Sequence, residues 1–194
     1  MATPSKDIDR RAERTHALIR GAFIDLAREK SLSAISIQDI TDRANISRGT
    51  FYAHFADKYA LIDLIMREDF QRTVSTLSLE SGWNKTTLQT LIQIILDYFK
   101  TVYQRHHREH DIAPLIEQIV HEELYTLILS WLKDSNRPNT PAPMSPEMLA
   151  QIISWAIFGA ALQWNQESAP LPAAQTAAQI VQVIMDGTAN QLDD

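Results

Sequence analysis

An all-α fold of about nine helices is what the sequence predicts, and three observations predict it. Apolar residues recur at three- and four-residue intervals along most of the chain, the period of a half-buried helix. Alternating polar/apolar runs are scarce and there are only five glycines in 194 residues, which argues against a sheet protein. The prolines gather at breaks between stripes, and four of the eight fall within residues 134–146.

The stripes can be taken in order. Leu18, Ile19, Ala22, Phe23, Leu26 and Ala27 form the first, and Leu61, Ile62, Ile65, Met66 and Phe70 a second. Ser81-Gly82 breaks the pattern. A third runs from Leu88 through Ile92, Ile95 and Phe99 to Tyr103, and a fourth from Ile112 through Ile116, Val120 and Ile128 to Trp131. The proline-rich stretch follows. Ser145-Pro146-Glu147 restarts a helix, with serine as N-cap and proline at the first helical position. The fifth stripe holds Leu149, Ile153, Ile157, Ala161 and Trp164. Pro170 and Pro172 separate it from the sixth, at Ala177, Ile180, Val181 and Ile184.

Composition narrows the class. There is no cysteine, so neither a disulfide framework nor a thiolate metal site can form. No run approaches the roughly 18 apolar residues of a membrane span. The first residues are polar and charged, without the apolar core of a signal peptide. The expectation is a cytoplasmic protein with no membrane association. The net charge of −6 hides an asymmetry. Residues 1–60 carry 10 Lys+Arg against 8 Asp+Glu, and the rest 8 against 16. A slightly basic head on an acidic body suits a site-specific DNA binder.

The chemistry concentrates between the first two stripes. Ser36 with Asp39 forms a capping-box start, and Ile37, Ile40 and Ala44 give a short apolar face. Asn45 follows, a residue that tolerates the left-handed backbone of a tight turn. Ile46 is an apolar plug, and Ser47 caps a second short helix through Phe55. Asp57 caps the next, long one. Two helices of about eight residues joined by a short turn make a helix-turn-helix over residues 36–55. Phe51 and Phe55 can anchor the second helix, whose other side chains are nearly all hydrogen-bonding. Gly49 costs helix propensity there, so close approach to DNA or to a neighbouring helix must offset it.

The stretch I-x-x-I-x-x-x-A-x-I-S-x-G-T-F-Y-x-H-F-x-x-K-x-x-L, Ile37 to Leu61, resembles the DNA-binding signature of TetR-type (TetR/AcrR) transcriptional regulators. One departure is Asn45, where that family usually has glycine. The resemblance implies an N-terminal three-helix DNA-binding domain, residues 1–56, and a helical ligand-binding and dimerisation domain, residues 57–194. It also implies that Ser36 bonds a phosphate, that Ser47, Arg48, Gly49, Thr50, Tyr52 and His54 face double-stranded operator DNA, and that Lys58 meets a phosphate. Arg48 is the expected base reader, since arginine to guanine is the commonest specific contact.

For the body, the resemblance implies a homodimer through the last two helices, about 146–168 and 173–191, with Ile153, Ala156, Ile157, Ala160, Trp164, Ile180 and Ile184 at the interface. It implies a small-molecule effector among Tyr98, Phe99, Tyr103, Tyr125 and Trp131, whose binding releases a repressor from DNA. A body that docks a protein partner is the alternative. His106, His107, His110 and Asp111 have metal-like spacing, as do Glu117 and His121. Arg105 and Arg108 among them repel a cation, so no metal site and no cofactor are expected. No enzyme is expected either: the chain lacks H-E-x-x-H, G-x-S-x-G and a P-loop.

Overall fold

The computed structural model describes residues 4–75, 77, 83–106, 109, 112–134, 144–167 and 170–192; the side chains of 4–9, 103–106 and 188–192 lie outside that description. Among the described residues there are eight helices and no strand. They are α1 (Pro4–Glu29), α2 (Ile37–Ala44), α3 (Arg48–Tyr52), α4 (Lys58–Val74), α5 (Lys85–His106), α6 (Ala113–Asp134), α7 (Pro146–Gln166) and α8 (Ala173–Leu192). None of the described helices is long and apolar enough to cross a membrane.

The chain forms two compact units. The first comprises residues 1–66 together with 108–116; the second comprises 67–107 and 117–194. The boundary expected at 56–57 falls inside the first. In that unit α1 packs on α2 and α2 on α3. Ile19, Phe23, Ile40, Phe51, Leu61 and Ile62 are almost fully buried, and Ile112, brought back by the distant segment, is buried with them. Leu18 belongs to the first stripe by spacing, yet it is 54% exposed. The helix turns Ile19 inward and leaves its neighbour outside.

In the second unit α5 packs against both α7 and α8. Its residues Leu88, Leu91, Ile92, Ile95, Leu96 and Phe99 are buried. The lower half of α4 is tied to α6 by charge. Arg67 donates to Glu123 at 2.9 Å and Glu122 at 2.6 Å, and Gln71 donates to Glu123 at 3.0 Å. Ser145 caps α7 through the amide of Met148, with Pro146 first in the helix.

Candidate nucleic-acid interface

Two caps and one left-handed residue shape the site. The Ser36 hydroxyl accepts from the amide of Asp39, and the Asp39 carboxylate accepts from the Ser36 amide at 2.8 Å, a complete capping box. Lys30 adds an ion pair to Asp39 at 2.8 Å. Its ammonium, and then Ser36, hold the Asp39 carboxyl well below the usual carboxylate range. α2 ends at Asn45, with φ 52° and ψ 51°, the one non-glycine residue with positive φ among those described. The next amide, Ile46, reaches back five residues to Thr41 at 3.0 Å. That bond satisfies a carbonyl the helix end would otherwise leave open. Ile46 is half-buried beneath the turn.

Ser47 caps α3 by accepting from Thr50 at 3.0 Å, and its hydroxyl also meets that of Thr50 at 2.9 Å. α3 is shorter than expected. It ends at Tyr52, and the amides of Ala53, His54 and Phe55 continue the coil into one further turn through Gly49 and Phe51 carbonyls. Phe51 is fully buried and Phe55 nearly so, which hangs the segment from the core on one side. The other side is open. Ser47, Arg48, Gly49 and Tyr52 are exposed, and Thr50 is half-exposed. His54 is half-buried, its ring edge-on to His16 at 4.9 Å.

Arg48 and Gly49 carry the most information. The Arg48 Nε donates to Gln38 Oε1 at 2.7 Å. That bond joins α3 to α2 and leaves the two terminal guanidinium nitrogens for another acceptor. A Cβ on Gly49 would meet only the Ser47 hydroxyl, at 3.6 Å. No neighbouring helix therefore requires glycine here, and its φ is ordinary. Of the two expected reasons for Gly49, close approach of a neighbouring helix finds no support in the fold.

Lys58, expected at a phosphate, is held by protein. Its Nζ donates to the Ser33 carbonyl at 2.9 Å and the Ile35 carbonyl at 3.3 Å. Spacing gave no hint of this, because both carbonyls belong to the loop before α2. The same loop is held from the other side. The Glu109 carboxylate accepts from the Ser33 amide at 2.7 Å and the Ser33 hydroxyl at 2.9 Å. Gln38, Ser33 and Glu109 were all missed by sequence reasoning. Gln38 is one more polar residue on a solvent face, and Glu109 is 76 residues from its partner.

In the second unit, Tyr98, Phe99 and Trp131 are core residues, 6%, 4% and 1% exposed, and Tyr125 is half-buried. Burial first, and the Asp69 carboxylate second, push the Tyr98 phenol well above its ordinary pKa. The Tyr103 and His106 side chains, and His107, His110 and Asp111, lie outside the described residues. Of the residues expected at a dimer interface, Ile153, Ile157, Trp164 and Ile184 lie in the unit's own interior, in the same packed layers as the buried face of α5. Ala156, Ala160 and Ile180 face outward or lie at the edge. An outer stripe that was not assigned runs beside them: Met148, Ile152, Trp155 and Gly159 on α7, and Val183 on α8.

Comparison with known proteins agrees with this geometry. Residues 19–65 match the family described as bacterial regulatory proteins, tetR family. An uncharacterized HTH-type transcriptional regulator, YxbF of Bacillus subtilis (strain 168), is 36% identical over 85 residues, 43% of this chain and 22% of that protein. The HTH-type dhaKLM operon transcriptional activator DhaS of Lactococcus lactis is 33% identical over 91 residues, 47% of this chain and 48% of that one. The chain thus spans between a fifth and a half of these two relatives. The HTH-type transcriptional repressor DhaR of Mycobacterium sp. (strain GP1) is 24% identical across 91% of this chain and 94% of its own. Among solved structures, the dihydroxyacetone kinase operon activator DhaS shares the fold, with a TM-score of 0.59 at 20% identity over 92% of this chain and 98% of that one.

Proposed function

We propose that the chain is a TetR-type helix-turn-helix transcriptional regulator, a reading supported by the family match over residues 19–65, and that it binds a double-stranded operator as a homodimer, with α3 in the major groove. The open polar face from Ser47 to Tyr52 carries this reading, because it is hung from two buried phenylalanines and contains a glycine that no protein atom crowds. Arg48, steadied by Gln38, reads a base. Ser47, Thr50, Tyr52 and His54, with Ser36 at the start of α2, hold phosphates or base edges. Lys58 acts mainly by bracing the loop before α2, with one remaining N–H for a phosphate.

Dimerisation is assigned to the outer stripe of α7 and α8. Met148, Ile152 and Trp155 recur at helical spacing and are each about half exposed. A continuous apolar face of this kind calls for a partner. A second copy supplies the second recognition helix that a palindromic site requires. The body senses a small effector around Tyr98, whose buried hydroxyl lies near the Asp69 carboxylate, and the effector lowers operator affinity. The burial of Tyr98, Phe99 and Trp131 favours a second reading, in which the body is a filled scaffold that docks a protein co-regulator.

Selection of duplexes from a random-sequence pool by the purified protein tests the proposal. The expected product is a two-fold-symmetric site with half-sites about 34–36 Å apart or a multiple of that. No enrichment beyond that of the Arg48→Ala/Thr50→Ala/Tyr52→Ala variant would overturn it. Compounds that release the selected duplex then separate an effector-responsive body from a docking one.

A further inference from the structure

Three side chains join the two short helices on the open side of the reading head. Arg48, first in α3, donates from Nε to Gln38 Oε1 at 2.7 Å. Gln38, on α2, donates from Nε2 to the Asp42 carboxylate one turn further along. Glutamine and aspartate four apart on a helix lie side by side. All three side chains are exposed. The neighbouring cations are engaged elsewhere: Arg43 clasps Glu29 at 2.9 and 2.8 Å, and Lys30 pairs with Asp39.

Chemistry fixes the direction of this relay. A guanidinium can only donate, and an ionised carboxylate can only accept. The amide between them satisfies both in one orientation alone, with its oxygen toward Arg48 and its nitrogen toward Asp42. A flipped amide would set N–H against N–H and oxygen against oxygen. Asp42 therefore orients Gln38, and Gln38 orients Arg48.

That arrangement selects how Arg48 can read. An arginine offers a fork through Nε and one Nη, or through both Nη atoms. With Nε taken by Gln38, the end-on fork is left. Two parallel donors fit O6 and N7 of guanine, whereas adenine presents one acceptor and one donor on that edge. Holding the guanidinium plane before DNA arrives also lowers the ordering cost of binding.

We propose that Gln38 and Asp42 are positioning residues, which set base discrimination at one position of each half-site by holding Arg48 for end-on contact with guanine. The proposal rests on α2 and α3 being a DNA-binding helix-turn-helix with Arg48 toward a base. Loose pairs on a solvated face would leave base preference untouched.

The test uses the full chain and the duplex selected from the random pool, with each half-site position changed in turn to each other base pair. Affinities are read by fluorescence anisotropy, at fixed salt and then along a salt series. Wild-type protein should prefer guanine at one position by at least about fivefold, the low end for a bidentate contact, and Arg48→Ala should abolish that preference. Gln38→Ala should reduce the same preference by about threefold or more and leave the other positions alone. Its slope of log affinity against log salt should match wild type, because glutamine neutralises no phosphate. Asp42→Ala should weaken the preference at the same position, while affinity for a random-sequence duplex holds or rises with the loss of a negative charge. Gln38→Glu, which keeps an acceptor for Nε, should keep the guanine preference. In the Arg48→Ala background, Gln38→Ala should change nothing further at that position. Thermal midpoints at the wild-type value check that each variant is folded. Gln38→Ala with the wild-type guanine preference overturns the proposal. So does a loss at a different position, which would make Gln38 a base reader in its own right, and so does an enriched base other than guanine where Arg48→Ala relaxes the site. Wild-type protein that enriches no duplex, or a selected site indifferent to Arg48→Ala, overturns the underlying reading instead, a separate outcome.

Discussion

At the scale of single residues, the turn between α2 and α3 depends on one backbone angle. Asn45 at φ 52° adopts a conformation that an ordinary L-residue adopts at a cost. Asn45→Ala should destabilise the protein by about 1 kcal/mol, and Asn45→Gly should be neutral or stabilising by a few tenths. Urea denaturation of both variants measures the pair, and equal midpoints for the two would contradict the argument. Asparagine and its neighbours made this turn legible in the sequence, down to the left-handed residue. Arg48→Ala should weaken binding to the selected duplex by about 1–3 kcal/mol and relax one base position. Gly49→Ala should leave stability unchanged or raise it by up to about 1 kcal/mol, the helix-propensity difference, while operator affinity falls. Unchanged affinity in Gly49→Ala would remove the argument that DNA is what glycine makes room for.

At the scale of elements, helix positions and caps were legible because each rests on a local period or a local hydrogen bond. Ser36, Ser47, Asp57 and Ser145 all cap as expected. Which apolar face a helix turns inward was less legible. α7 has apolar residues nearly all round, so its sequence alone does not separate Ile153 and Ile157, which are buried, from Ile152 and Trp155, which are not. The outer face carries a titratable group. His121 on α6 bonds the Ser154 hydroxyl at 3.2 Å and stacks on Trp155 with ring centroids 4.0 Å apart. Burial lowers its pKa, and the Glu122 carboxylate opposes that only in part. Its folded pKa is therefore below the unfolded value of about 6.5. As pH falls, the unfolded chain takes up the proton first, so the stabilisation is complete above that value and is lost through the range below it. His121→Phe should flatten the fall of the thermal midpoint between pH 7 and pH 5. An unchanged pH profile would show that burial does not act on this ring.

At the scale of the whole molecule, assembly and continuity matter most. Replacing Ile152 and Trp155 by glutamate should leave the second unit folded, since both are outside its core, and should convert a dimer to a monomer. Light scattering at micromolar concentration reads the change, and a wild-type monomer would remove the dimer assignment altogether. The loop of residues 31–35 has a different consequence, for heredity rather than for binding. It is clasped by Glu109, and Ile112 lies in the same interior, so the reading head is completed by a stretch encoded far downstream. A gene fusion that transplants only codons 1–66 would carry every side chain proposed to read bases and leave behind part of the floor they stand on. Such a chimera should melt below the parent and exchange its Ser33 amide faster. Recombination can exchange this head intact only if it carries the downstream codons as well.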